Sequence, residues 1–269
     1  MSHVALVTGG GRGIGRAIAL ALARRGSAVA IVARTRADVD RTTEEARALG
    51  ALVAGFELDV TDGDAIGRLV PEIAGRLGPI DVLVNNAGIA ESAPFSRTDP
   101  SLWERHLRVN VTGPYLLARA LIPGMLERRR GRIVNVASLA GLYGAAYVTA
   151  YVTSKHALVG FTRALAMEVA ATGVTVNAIC PGYVATDLVW RSARNISART
   201  GQPFEEAVAV LARMNPGGRL IDPGEVAQAV VRLIDDEATN GQTIIIDGTG
   251  PIPEPAGPAS DLTGPASDL

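Results

Sequence analysis

Cysteine is almost missing from this chain. Cys180 is the single thiol in 269 residues. No disulfide can form within the chain, and a reducing, cytoplasmic setting is the simpler expectation. Histidine is scarce as well. His3, His106 and His156 lie far apart and, with one cysteine, offer no metal-ligand spacing, so no metal site is expected. Neither sign of charge dominates: 26 Lys and Arg stand against 27 Asp and Glu, a net charge of -1. That balance argues against nucleic acid or an anionic membrane as the main partner. No apolar run approaches the roughly 20 residues of a membrane span. The N-terminus runs straight into apolar residues without the basic region of a signal peptide.

Charged residues make up 20% and hydrophobic residues 48%, enough for a sizeable core. Residues 4–8 form a short apolar run that ends in a glycine cluster. Residues 13–25 then carry Ile14, Ala17, Ile18, Ala21 and Leu22 at helical spacing, and 29–33 is a second apolar run. Strand, glycine turn, helix and strand make one βαβ unit. The alternation continues with strands over 52–58, 80–84, 132–137, 174–180 and 243–246. Helices are predicted over 64–77, 100–126, 150–171 and 223–234, with Pro114 marking an irregularity in the longest. Strands apolar on both faces, alternating with helices, predict a parallel sheet covered on both sides. The expected fold is α/β, a doubly wound Rossmann sheet in a single domain over residues 1–250. Within it, 186–216 reads as a partly helical insertion and a substrate lid. The tail over 251–269 is rich in Pro, Gly and Ala and repeats a hexapeptide at 257–262 and 264–269. It reads as a disordered appendage.

The turn Thr8-Gly9-Gly10-Gly11-Arg12-Gly13-Ile14-Gly15 lies between strand and helix. Glycines there let backbone approach a pyrophosphate, and the helix N-terminus offers free N–H groups and a positive dipole end. The expected ligand is a dinucleotide. Units that bind NAD place an acid at the end of the second strand for the ribose 2′-hydroxyl. Here that place is held by Ala33, followed by Arg34, and Arg12 sits inside the turn. Two guanidinium groups without an opposing acid predict NADP(H) in preference to NAD(H).

Tyr151 and Lys155 are four apart on one helix face. Ser138 follows a strand at the carboxyl end of the sheet, where ligands bind in open α/β folds. Together with Asn85-Asn86-Ala87-Gly88, Asn110, Pro181-Gly182 and Thr186, these motifs stand in the order and spacing of one family. Over about residues 4 to 248 the chain resembles a classical short-chain dehydrogenase/reductase, an NAD(P)-dependent oxidoreductase acting on CH–OH groups. The resemblance implies a catalytic set of Asn110, Ser138, Tyr151 and Lys155. Tyr151 would pass a proton to or from the substrate oxygen, and Lys155 would lower its pKa from about 10 and bind the nicotinamide ribose. Ser138 would orient the carbonyl. Asn110 would hold a water that relays protons from Lys155.

The resemblance further implies cofactor contacts at Gly9, Gly11, Arg12, Gly13, Ile14, Gly15, Arg34, Asp59, Val60, Asn86, Ala87 and Gly88. Tyr151, Lys155, Pro181, Gly182, Val184 and Thr186 complete that set. Asn85 alternatively pins a strand end. Cys180 reads as a buried small hydrophobe, and His156 points away from Lys155 and receives no role. Tyr143 and Tyr147 read as pocket lining or as packing.

Within the family the chain looks closest to β-ketoacyl reductases and polyketide ketoreductases. The Arg128-Arg129-Arg130-Gly131-Arg132 run and Ser154-Lys155-His156 carry that likeness. The expected substrate is a small carbonyl compound or alcohol, CoA- or carrier-protein-linked in one reading. Arg128–Arg130 then either meet an acidic carrier or form a solvated helix end. Thr172 stands where some acyl-carrier reductases have a second basic residue, and residues 89–93 lack the extra glycines of some polyketide enzymes. Arg191, Arg194 and Arg199 in the lid suit a coenzyme A phosphate, which keeps a 3-hydroxyacyl-CoA dehydrogenase open. A cofactor-binding scaffold without chemistry is a remoter reading, because all four catalytic positions are filled. The resemblance implies a homotetramer or homodimer built through the two long helices.

Overall fold

The computed structural model describes residues 3–250. The repeated tail over 251–269 lies outside the described residues. The described strands are β1 (Val4–Thr8), β2 (Ala28–Ala33), β3 (Val53–Glu57), β4 (Val82–Asn85), β5 (Gly131–Val136), β6 (Val174–Pro181) and β7 (Thr243–Ile246). They form one sheet in the order β3-β2-β1-β4-β5-β6-β7, with every neighbouring pair parallel. The helices are α1 (Gly13–Arg24), α2 (Arg36–Ala48), α3 (Gly63–Leu77), α4 (Pro100–Leu107), α5 (Gly113–Glu127), α6 (Thr149–Glu168), α7 (Asp187–Thr200), α8 (Phe204–Arg213) and α9 (Pro223–Asp235).

Both sheet faces are covered, which is why the strands are mostly apolar. Ala5 and Val7 of β1 pack with α1 and α9, while Val4 and Leu6 pack on the opposite side with α3, α5 and α6. Strand side chains alternate between faces, so a strand buried on both needs apolar residues at every position. Burying each large aliphatic side chain, as at Leu6 and Ile31, contributes about 1.5–3 kcal/mol.

One helix is added to the predicted set and one predicted helix is divided. The polar stretch after β2 is a helix, α2, that apolar periodicity does not reveal. Its buried face consists of Val39, Thr42, Thr43 and Ala46, half of it threonine. The predicted helix over 100–126 is two helices, α4 and α5, joined by a wide π-turn at Arg108–Thr112. Pro114 follows this turn and has no N–H to give the Asn110 carbonyl. The insertion at 186–216 is the helix pair α7 and α8, with its own apolar contacts among Val189, Ala193, Ala207 and Leu211.

Strand order reverses between β1 and β4. In sheets of this kind the connections leave in opposite directions at such a point and open a crevice at the strand carboxyl ends. The glycine turn after β1 and the Asn86–Gly88 segment after β4 meet there.

Candidate active site

The glycine turn is shaped by close approaches. Gly9 has φ +62, and a Cβ on it would stand 2.8 Å from Asn86 Nδ2. The Asn86 amide donates to the carbonyls of Thr8 (3.0 Å) and Gly9 (3.3 Å), locking the turn to β4. Thr8 Oγ1 accepts the N–H groups of Asn86 and Ala87 and closes the same joint. Helix α1 begins at Gly13 with no side-chain cap and no acid in its first turn. Its first N–H groups and dipole are thus available to an anion.

A cleft of about 230 Å³ runs along this turn. It is lined by Gly9, Gly11, Arg12, Gly13, Ile14, Arg34, Asp59, Val60, Asn86, Ala87, Gly88 and Thr186. These residues of the predicted cofactor set therefore share one surface, and the uncapped helix end with its two arginines fits a phosphorylated dinucleotide. Gly15 does not line it. A Cβ at Gly15 would lie 2.2 Å from the Gly9 carbonyl oxygen, so its bare Cα lets α1 seat on the turn. Asp38, which the sequence reading passed over, does line the cleft. Its carboxylate is paired at 2.8 Å with Arg41, whose guanidinium also donates to the Gly11 carbonyl. The acid reaches the cleft only because α2 folds back over the turn.

A second cavity of about 700 Å³ opens from the first and shares Ile14, Asn86, Gly88, Thr186 and Arg191 with it. Ser138, Tyr151, Lys155, Pro181, Gly182 and Val184 line this space. Tyr143 lines it too, whereas Tyr147 does not and stands exposed with φ +66. On α7, Arg191, Asn195 and Arg199 recur every four residues and all line the cavity.

Lys155 is buried, and its ammonium donates to the Val136 carbonyl at 2.8 Å, at the end of β5. Its Nζ lies 5.9 Å from the centre of the Tyr151 ring. Burial pulls the Lys155 pKa down to about 8. Tyr151 is pushed the other way from the sequence expectation. Desolvation raises its phenol above the ordinary value, and a hydrogen bond with Ser138 opposes the rise. Burial is the largest influence on this group, so the hydroxyl holds its proton more firmly than a free tyrosine does.

Asn110 is buried at the π-turn, with its side chain fully engaged. Its amide donates to the Ile89 carbonyl (3.0 Å) and to Ser154 Oγ (2.9 Å), and its Oδ1 accepts the Ile89 N–H. The side chain stitches the loop after β4 to α6. Ser154 passes the connection on by donating to the Tyr151 carbonyl at 2.8 Å. Asn85 bonds Asn135, which bonds Thr162, the pinning role read as its alternative. Asn215, also unmarked by the sequence, holds both the N–H and the carbonyl of Tyr183 and so fixes the chain between β6 and α7 beside Gly182.

Cys180 is fully buried with its thiol pushed up to about 11, consistent with a packing role. His156 is exposed and bonds its own helix at the Val152 carbonyl. The arginine run is exposed at Arg128 and Arg129 and buried at Arg132. Arg128 donates to the Ile80 carbonyl, Arg128 and Arg130 face Asp81, and Arg132 is buried against Glu237. Among the described residues, no helix is long and apolar enough to cross a membrane.

Comparison with known proteins agrees with this geometry. The family model of short chain dehydrogenases matches residues 3–197. The chain is 41% identical over 241 residues to a monensin polyketide synthase putative ketoacyl reductase of Streptomyces virginiae, covering 89% of this chain and 92% of that one. It is 39% identical over 247 residues to a 3-oxoacyl-acyl-carrier-protein reductase of Vibrio harveyi, covering 91% and 96%. A crystal structure of an actinorhodin polyketide ketoreductase variant with NADPH superposes with a TM-score of 0.88 at 38% identity, covering 93% and 97%. With its parallel sheet, glycine cleft and Tyr151–Lys155 pair, the chain belongs to the short-chain dehydrogenase family and is an oxidoreductase acting between carbonyl and alcohol.

Proposed function

We propose that this protein reduces a β-ketoacyl thioester to its secondary alcohol with NADPH, reversibly, with Asn110, Ser138, Tyr151 and Lys155 as its working set. One observation carries the reading: Ser138, Tyr151 and Lys155 line a roomy cavity that is continuous with the glycine cleft. The cofactor would be held by the α1 N-terminus at its pyrophosphate and by Arg12 and Arg34 at its 2′-phosphate. When bound, it supplies hydride to the carbonyl carbon.

The chain's own groups manage the oxygen and the proton. Ser138 hydrogen-bonds the carbonyl oxygen and holds it beside the Tyr151 hydroxyl. Tyr151, which keeps its proton through neutral pH, donates it as negative charge grows on that oxygen. The Lys155 ammonium favours the tyrosinate left behind. Asn110 acts by fixing the Ile89 loop and, through Ser154, the backbone of Tyr151.

The Arg191-Asn195-Arg199 face supports an anionic handle on the substrate, such as the phosphate of a pantetheine arm. It supports the CoA-linked hydroxyacyl oxidation equally, since both directions use one site. Exposed Tyr115 on α5 and Met167 on α6 support a dimer or tetramer through these helices. The reading is tested by following NADPH consumption with acetoacetyl-CoA, a carrier-linked β-ketoacyl mimic and unactivated ketones. Turnover of the thioesters well above the simple ketones is expected. Reduction of none of them sinks the assignment.

A further inference from the structure

His106 is fully buried at the end of α4, four residues before Asn110, and the chemistry assigned so far makes no use of it. Both ring nitrogens are committed. Nδ1 lies 2.8 Å from the Leu102 carbonyl, an acceptor, so Nδ1 must carry the proton. Nε2 lies 3.1 Å from the Glu91 N–H, a donor, so Nε2 must be bare. These two partners fix a neutral ring in one tautomer. The same ring meets Tyr151 edge to face, with centroids 6.4 Å apart and planes at 73°.

Glu91 belongs to the loop after β4 that forms one wall of the large cavity. Every second N–H of that loop is taken by a different element. Ile89 is held by Asn110, Glu91 by His106, and Ala93 by the Tyr147 carbonyl at 2.8 Å. His106 is the one anchor of the three that also backs the Tyr151 ring. Removing it would leave the Glu91 N–H without its acceptor and the phenol with a gap behind it.

We infer that His106 is a positioning residue for the ketone site: it sets the cavity wall at Glu91 and the aim of the Tyr151 ring through one fixed tautomer. It contributes no proton to the reaction. The kinetic consequence rests on the ketone reduction proposed above; the tautomer does not, and can be measured without any substrate.

The test uses the full-length protein, His106→Phe and His106→Gln. Phenylalanine keeps a ring behind Tyr151 but cannot accept from Glu91. Glutamine restores an acceptor without the ring. For His106→Phe, KM for acetoacetyl-CoA should rise about tenfold while Kd for NADPH stays within about twofold, since the wall and not the glycine cleft moves. His106→Gln should recover most of that KM and retain a loss in kcat of about tenfold from the freed phenol. Long-range proton–nitrogen NMR of the wild-type protein should find Nδ1 protonated and Nε2 bare at neutral pH. An Nε2–H tautomer or an imidazolium overturns the inference whatever the substrate proves to be. So do wild-type kinetics in His106→Phe, or a glutamine variant no better than phenylalanine. If the wild-type protein reduces no ketone but shows the assigned tautomer, the functional reading fails and the placement of His106 stands.

Discussion

The Lys155 ammonium donates a 2.8 Å hydrogen bond to the Val136 carbonyl, tying the middle of α6 to the carboxyl end of β5. This bond is the ammonium's anchor in a site that otherwise opposes its charge. Burial lowers its pKa from 10.5 to about 8. Below about pH 8 the folded protein carries the full cost of a buried charge. Between about pH 8 and 10.5 the unfolded chain still binds a proton that the folded one has released. Stability from this group therefore rises with pH across that window.

Lys155→Met should remove this cost together with the useful charge. The shift corresponds to about 3 kcal/mol, and loss of the bond to Val136 returns about 1–2 of it. A net gain of about 1–2 kcal/mol at pH 7, with activity abolished, is expected from urea unfolding and turnover assays. A variant less stable than wild type at pH 7 would mean that the ammonium is not penalised by its burial.

The pH profile follows from the same groups. Tyr151 is raised, so it holds its proton through neutral pH, and the limiting loss on the alkaline side belongs to Lys155. Ketone reduction should be level below about pH 7.5 and fall as pH rises through about 8. A profile still level at pH 9.5 contradicts the assigned site.

Tyr151→Phe keeps the ring against His106 and removes only the hydroxyl. It should lower kcat by about 10²–10⁴ while NADPH binding is unchanged. Fluorescence titration with NADPH beside steady-state assays separates the two effects. Retention of most of the turnover would move the proton donor elsewhere.

Arg12 and Arg34 line the glycine cleft, and Asp38, which lines it too, is paired with Arg41. Replacing both arginines with serine should raise KM for NADPH about 100-fold and change KM for NADH little, since only the 2′-phosphate is lost as a partner. An equal loss for both cofactors would show that the arginines serve the cleft in some other way.

Gly15→Ala should damage stability more than cofactor affinity. Its Cβ would stand 2.2 Å from the Gly9 carbonyl, a backbone atom that cannot swing aside. A loss of about 3 kcal/mol is expected, read as a fall in Tm. An unchanged Tm with weaker NADPH binding would instead make Gly15 a direct cofactor contact.

Much of this was written in local sequence, and the reason is physical. A strand buried on both faces must be apolar throughout, so Val4–Thr8 and Ala28–Ala33 announce themselves. A turn at φ +62 with an amide 2.8 Å from its missing Cβ needs glycine, so Gly9 does too. Four-residue spacing placed Tyr151 and Lys155 on one face without any knowledge of their neighbours. Helix α2 escaped because threonines do the work of its buried face.

What only the tertiary structure decided is environment. Whether Tyr151 is raised or lowered depends on its burial against its hydrogen bond with Ser138, and no local pattern sets that balance. Asn110 spends its amide on Ile89 and Ser154, 21 and 44 positions away, and Asp38 reaches the cleft only by the folding back of α2. His106 gains its place from Glu91 and Tyr151, which come to it from a loop and from α6. Backbone shape and helical spacing act over a few residues and can be read along the chain. Desolvation and long-range hydrogen bonds exist only once separated segments have packed together.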